Sequence, residues 1–331
     1  GIAEQHGVKR IEGKINTVRQ HSESGYIESI TLENGQVIEG DLFIDCTGFK
    51  GLLIEETLNT GYEDWSHWLP CDSAIAVQTK LTKPTVAYTR SIAHPAGWQW
   101  QIPLQNRMGN GIVFCSKHIS DDEAKQTLLN NIEGELINEP KIIKYRTGTR
   151  RKHWHKNCVA IGLSSGFIEP LESTSIHLIQ QSIIRLLQSM PSQGIVKSTA
   201  DDFNEKMRFE IDNIRDFIIL HYHVTHRSDS QFWRYCKSMD IPKSLQKRLT
   251  LFSESAQAYK TDKELFGETS WIQVMMGQGI MPNQYHAIVD MMSDHELKGF
   301  LDNIKNTIER KVDSLPDHNE FITSYCNSSK V

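Results

Sequence analysis

The chain has 331 residues, enough for about two domains and a sizeable core. Hydrophobic residues make up 38% and charged residues 23%, a globular balance that excludes collagen-like, mucin-like and wholly disordered chains. The net charge is −5 with no basic run, which argues against nucleic acid as a partner; no apolar stretch reaches the ~20 residues that a membrane-spanning helix needs.

The predicted elements run as follows. Residues 8–48 read as β structure. Asn34-Gly35, set between apolar runs, predicts a hairpin turn with φ > 0 at both residues. Leu42 to Cys46 is a short apolar run stopped by Thr47-Gly48, the pattern of a buried strand ending at a tight turn. Ala74 to Val77 and Gly111 to Cys115 read as further strands, with a helix from Asp121 to about Ile132 after them. Asn157 to Gly162 is another buried strand. It feeds the small residues Ser164-Ser165-Gly166, then a helix from about Ser173 to Met190 in which Ile176, Ile179, Ile183 and Leu187 recur at helical spacing. Beyond residue 192 the pattern is helical, over 201–226, 242–258, 284–292 and 294–313. A domain boundary is expected near 191–200, and Asn327 to Val331 read as a frayed tail.

Six cysteines form no CxxC pair, and no basic segment followed by an apolar one suggests a leader. A reduced, cytoplasmic setting is the simplest reading. Cys46, Cys115 and Cys158 sit in apolar runs, where a thiol behaves as a small hydrophobe.

Five motifs invite a chemical reading. At Asp41 to Phe49, a strand ending in Gly48 lets backbone approach a dinucleotide, or is simply a strand ending in a turn. Trp98 and Trp100 alternate, so on a strand they share a face, as core or as cofactor wall. Gly162 to Ile176 passes from strand through a small-residue loop to a helix start, where unpaired N–H groups can bind an anion. There Pro170 forces Glu169 out of the α region and Ser173 or Thr174 serves as N-cap. The plainer alternative is a capped helix with an acid for its dipole. His221, His223 and His226, like His153 and His155, lack the further ligands of a metal site, so no metal is expected. Gly277-x-Gly279 and Gly109-x-Gly111 are not dinucleotide fingerprints.

Taken together, Trp98-Gln99-Trp100-Gln101-Ile102-Pro103 and the Gly162–Ile176 segment resemble the flavin-dependent tryptophan halogenases. Leu69 to Ala74, Phe232-Trp233 and Gly267 to Trp271 extend the resemblance over nearly the whole chain. It corresponds to roughly the C-terminal two-thirds of such an enzyme, without the Gly-rich fingerprint and catalytic lysine of the N-terminal segment, so the isolated chain is expected to be inactive. The implied fold is mixed α/β. A partial, flavin-monooxygenase-like FAD-binding domain over 1–192, with an inserted substrate-side sheet, precedes a mainly helical aromatic-substrate domain over 193–331.

The resemblance implies a two-component reaction. A separate flavin reductase supplies reduced FAD, and with dioxygen a bound chloride or bromide becomes hypohalous acid, which halogenates an indole-like ring. Glu172 matches the active-site glutamate, with Ser173 supporting it. Thr174 and Ser175 match the halide site, although members usually carry Gly at the latter position. Gly48, Leu163, Ser164, Gly166 and Ile176 fall at the flavin, and Phe266 and Trp271 at the substrate. The stretch Ala258 to Lys263 holds one Tyr, where enzymes acting on free tryptophan carry a tyrosine pair and an acid, so an indole-like or larger aromatic substrate is expected. A homodimer fits this reading. The competing readings are a flavin-dependent aromatic hydroxylase of the same architecture and an inactive protein that only binds aromatics.

Overall fold

The computed structural model describes residues 1–261 and 263–326. Asp262 and the expected tail from Asn327 to Val331 lie outside the described residues. The chain forms two compact units, Gly1–Trp65 with Thr147–Asp212, and Ser66–Arg146 with Asn213–Val331. The break expected near 191–200 falls inside the first unit. Sheets and helices mix in the α/β manner expected. Among the described residues no helix is long and apolar enough to cross a membrane.

In the first unit, strands Ile15–Gln20, Ile27–Leu32 and Val37–Glu39 form an antiparallel sheet. Its hairpin turn differs from expectation. Gly35 has φ 82°, but Asn34 stays out of the left-handed region. The Gly35 N–H donates to Leu32 C=O and the Leu32 N–H to Gln36 C=O, each at 2.9 Å. The turn is therefore longer, closed by a left-handed glycine, and Asn34 avoids the steric cost of positive φ. Strand Phe43–Asp45 pairs in parallel with Cys158–Ala160, which pairs antiparallel with Trp154–His155.

The strand Cys158–Ala160 is buried on both faces. Cys158 and Ala160 pack with Phe43 and Ile54, whereas Val159 packs on the other side with Trp154, Phe203 and Met207. Alternate side chains point to opposite faces, so a strand between two cores must be apolar throughout. Burial pushes the Cys158 thiol pKa up, and Cys115 is buried too. Cys46 departs from expectation by being exposed.

Helix Ser175–Gln188 buries a different stripe from the one its isoleucines suggested. Ser182 and Leu186 are buried, while Ile176 and Leu187 are 70% and 64% exposed. The Ser182 hydroxyl donates to Leu178 C=O at 2.8 Å, which lets a polar residue sit on the packed face.

The second unit is built on a five-stranded antiparallel sheet in the order Lys141–Lys144, Ser73–Thr79, Met108–Phe114, Gly97–Pro103, Arg90–His94. Ile75, Val77, Ile112 and Phe114 pack on Ala124 and Leu128 of helix Asp121–Asn130. Trp98 and Trp100 share a face, their ring centroids 5.9 Å apart. The Trp100 indole lies across Gly111, its cross-strand partner, where an added Cβ would come within 2.0 Å of the ring. Helices Gln231–Ser238, Lys243–Ser255, Glu268–Gly277, Asp294–Asp313 and His318–Tyr325 follow. The α-helix expected over 284–292 is a short 3-10 segment, Ala287–Met291.

Candidate active site

The parallel pair Phe43–Asp45 and Cys158–Ala160 brings two strand ends side by side, at the edge where open α/β sheets receive ligands. Each strand runs into a left-handed glycine, Gly48 at φ 72° and Gly162 at φ 75°. A Cβ on Gly48 would meet nothing within 4 Å, so this glycine serves backbone conformation and leaves main chain bare at the surface. The turns Gly48–Lys50 and Gly162–Ser164 pack together, and helix Ser175–Gln188 packs on the latter. Phe49, Leu163 and Ile176 expose apolar side chains here.

Two buried charged groups that the sequence reading did not single out hold this corner. Asp45 is fully buried. Its carboxylate accepts from Thr47 N–H at 2.9 Å, Thr47 O–H at 2.7 Å, and the Leu53 and Ile54 N–H groups at 2.8 Å each. Arg150 is buried as well, paired with Glu55 at 2.9 Å, and its Nε donates to Ser164 C=O at 3.0 Å. For Asp45 the signal was available: a charge inside the otherwise apolar run from Leu42 to Cys46 must find partners. The Ser164 hydroxyl donates inward, to Ile161 C=O at 3.0 Å and to Asp45 C=O. Ser164 thus fastens the two strand ends, while Leu163 and Gly166 lie nearer the surface.

The segment after this corner makes an unusual helix start. Glu169 has φ −56° and ψ 149°, as Pro170 requires, and Pro170–Glu172 form one 3-10 turn. Ser173 is left-handed at φ 54°. Thr174 occupies the N-cap position with φ −84° and ψ −10°, and its side chain makes no capping bond. A capping residue needs extended backbone for its oxygen to reach the first-turn N–H groups. The left-handed Ser173 reverses the chain and denies Thr174 that geometry. Among the described residues, no protein acceptor takes the Thr174 or Ser175 N–H. Thr174 is buried and Glu172 half-buried.

A small cavity of about 40 Å³ lies against this start, lined by His153, Gly162, Leu163, Gly166, Thr174 and Ser175 among others. Burial, and then the charge of Arg208, pushes the His153 pKa down to about 4, so the imidazole is neutral at neutral pH. The first unit therefore brings together Gly48, Leu163, Ser164, Gly166, Glu172, Ser173, Thr174, Ser175 and Ile176.

Phe266 and Trp271 belong to the second unit and form a cluster of their own. Phe266 stacks on Phe217 at 3.9 Å, and Trp271 meets Phe217 edge-on at 4.8 Å. The Arg248 guanidinium lies 4.1 Å from the Trp271 ring centre, held by both oxygens of Glu264 at 2.8 and 2.9 Å. Trp271 is 1% exposed. Of the histidine motif, His221 Nδ1 is bonded to Phe217 C=O and His223 Nδ1 to Cys236 C=O.

Bare glycine turns at parallel strand ends, beside a helix start without a cap, are a build suited to a nucleotide cofactor and a small anion. The family model for tryptophan halogenase matches residues 1–294. The chain is 33% identical over 330 residues to the 7-chloro-L-tryptophan 6-halogenase KtzR of Kutzneria sp. (strain 744), a match covering 97% of this chain and 64% of that one. It is 31% identical over 299 residues to the tryptophan 7-halogenase RebH of Lentzea aerocolonigenes, covering 85% and 56%. A solved flavin-dependent halogenase from Xanthomonas campestris superposes with a TM-score of 0.96 at 50% identity, over 98% of this chain and 66% of that one. BrvH, a flavin-dependent halogenase from Brevundimonas sp. BAL3, superposes with a TM-score of 0.93 at 43% identity, over 97% and 66%. The chain belongs to the tryptophan halogenase family. It spans less than two-thirds of the length of each of these relatives.

Proposed function

We propose that the complete protein is a flavin-dependent halogenase that places chloride or bromide on an indole-like aromatic ring. The observation that carries this reading is the uncapped helix start immediately after Glu172 and Ser173. N–H groups left without an acceptor at the positive end of a 14-residue helix favour an anion. An aromatic hydroxylase of the same architecture needs no such place, which favours the halogenase.

The corner also fits FAD. Gly48 and Gly162 leave room for close approach, and exposed Leu163 and Ile176 offer apolar contact to a ring system. Reduced FAD, delivered by a separate reductase, supplies with dioxygen the oxidising power that makes the halide electrophilic. The chain's own residues do the rest. The Thr174 and Ser175 amides hold the halide, and Glu172 orients the halogenating species by hydrogen bond. As the carbon–halogen bond forms, the ring loses its proton to the Glu172 carboxylate. Ser173, by its left-handed backbone, sets Glu172 and Thr174 at their angle to each other. Phe266 is assigned to the aromatic site, and Trp271, buried against Phe217 and Arg248, supports it from behind. Tyr259, the one tyrosine in its stretch, points to a substrate other than free tryptophan. The setting is cytoplasmic.

The test supplies the complete protein with FAD, a flavin reductase, dioxygen, chloride and a panel of indoles. Chlorinated product, identified by mass, supports the reading. Hydroxylated product, or flavin oxidation without any aromatic product, overturns it.

A further inference from the structure

Ser175 is the first residue of helix Ser175–Gln188, and it brings a hydroxyl to a position where members of the family usually carry Gly. Every Cα–Cβ bond in a helix tilts toward the N-terminus. The side chain of a first residue therefore projects past the helix end, on the side where the unpaired N–H groups point. In two of the three staggered rotamers a serine oxygen lies about 3 Å from the amide nitrogen of its own residue. An ion resting on that N–H is then within reach of the hydroxyl as well. Deeper in a helix the preceding turn blocks one of these rotamers, but a first residue has no full turn before it.

The structure leaves this hydroxyl available. Ser175 is half-buried and lines the small cavity at the helix start. Among the described residues its Oγ has no hydrogen-bond partner. Thr174 lines the same cavity and is 3% exposed, and its hydroxyl is likewise unbonded among the described residues. A polar side chain withdrawn this far from water is costly without a partner, which points to a ligand at this helix start.

The donors here are of two kinds. The Thr174 and Ser175 amides are fixed by the backbone and serve any anion of suitable size. The Ser175 hydroxyl turns about its own bonds and aims its proton at an ion that the amides already hold. Chloride is smaller than bromide and has the higher charge density, so it accepts the stronger charge-assisted hydrogen bond and gains more from an added donor.

We propose that the Ser175 hydroxyl is a side-chain donor to the bound halide and a determinant of the preference for chloride over bromide. This inference rests on the halide assignment made above.

The test measures chloride and bromide dissociation constants of the complete protein by titration calorimetry, with melting temperature in halide-free buffer as the check on folding. Ser175→Ala removes the hydroxyl and keeps the Cβ, whereas Ser175→Gly removes both. Each variant should bind chloride ~10-fold and bromide ~3-fold more weakly than the wild type. A folded Ala variant with unchanged chloride affinity overturns the proposal. So does a loss confined to the Gly variant, the mark of a backbone effect, and so does a loss equal for both halides. In each of these cases a wild-type protein that binds halide leaves the halide assignment standing. A wild-type protein that binds neither halide overturns that assignment and this inference with it.

Discussion

Helices Asp121–Asn130 and Ser175–Gln188 both follow a serine or threonine, and they begin in opposite ways. Ser120 is extended, with φ −73° and ψ 162°; its hydroxyl accepts from Glu123 N–H at 3.3 Å, and the Glu123 carboxylate accepts the Ser120 N–H at 3.0 Å. These bonds to Ser120 hold the Glu123 pKa below its ordinary value. Three acids in the first turn complete a start that satisfies itself. Thr174 sits at the same position with helical backbone, makes no side-chain cap and is followed by no acid in the first turn. The residue types are alike. What differs is the preceding four residues, where Pro170 and the left-handed Ser173 fix the approach of the chain. The first start satisfies itself, and the second is the one proposed above to take the halide.

The sharpest way to break this contrast is to remove one carboxylate at each start. Glu172→Gln should lower chlorinated product per flavin oxidised by ~10²-fold or more at unchanged melting temperature. Glu123→Gln should leave product formation intact and the melting temperature nearly unchanged, because Gln can still accept the Ser120 N–H. If Glu172 served only the helix dipole, its variant would keep turnover as the second does, with about 0.3–1 kcal/mol of stability lost.

A second effect is read in stability against pH. The His153 pKa is about 4 in the fold and near 6.5 when unfolded. Above pH 6.5 both states are neutral and the residue contributes nothing. As pH falls below 6.5 the unfolded state takes up the proton first, so stability is lost progressively down to about pH 4. Between pH 7 and pH 5 the loss should be about 2 kcal/mol. His153→Gln should flatten that part of the denaturation profile, and an unchanged slope would show that the imidazole is not buried neutral.

Smaller effects separate the two caps themselves. Ser120→Ala should cost about 1 kcal/mol by loss of its capping bond. Thr174→Val, which removes a hydroxyl that caps nothing, should change stability by less than about 0.5 kcal/mol. Ser173→Gly should stabilise by about 0.5–1 kcal/mol, because glycine carries no steric penalty at φ 54°. Urea denaturation of the three variants checks all of these together.

Much of the scaffold was legible in the sequence because local pattern governs it. The strand Cys158–Ala160 is apolar because it lies between two cores, and the bounds of helix Asp294–Asp313 fall where the sequence placed them. The irregular start of helix Ser175–Gln188 was legible through Pro170. What failed to show depended on contacts and backbone conformation that residue type does not reveal. Arg150 looks like an ordinary charge until its partners Glu55 and Ser164 are seen. The stripe from Ile176 to Leu187 reads as a core face, yet of it only Ile179 joins Leu178 and Leu186 against the core, with Ser182 buried beside them, because periodicity gives the spacing of a face and not its direction. The failed Thr174 cap follows from one left-handed residue, and Ser173 carries no sign of that conformation in its chemistry.

The most direct measurement is anomalous diffraction from crystals of the complete protein soaked in bromide. The account predicts a bromide peak within hydrogen-bond reach of the Thr174 and Ser175 amide nitrogens, and none at the start of helix Asp121–Asn130. No peak beside Thr174 and Ser175, or equal peaks at both helix starts, would contradict it.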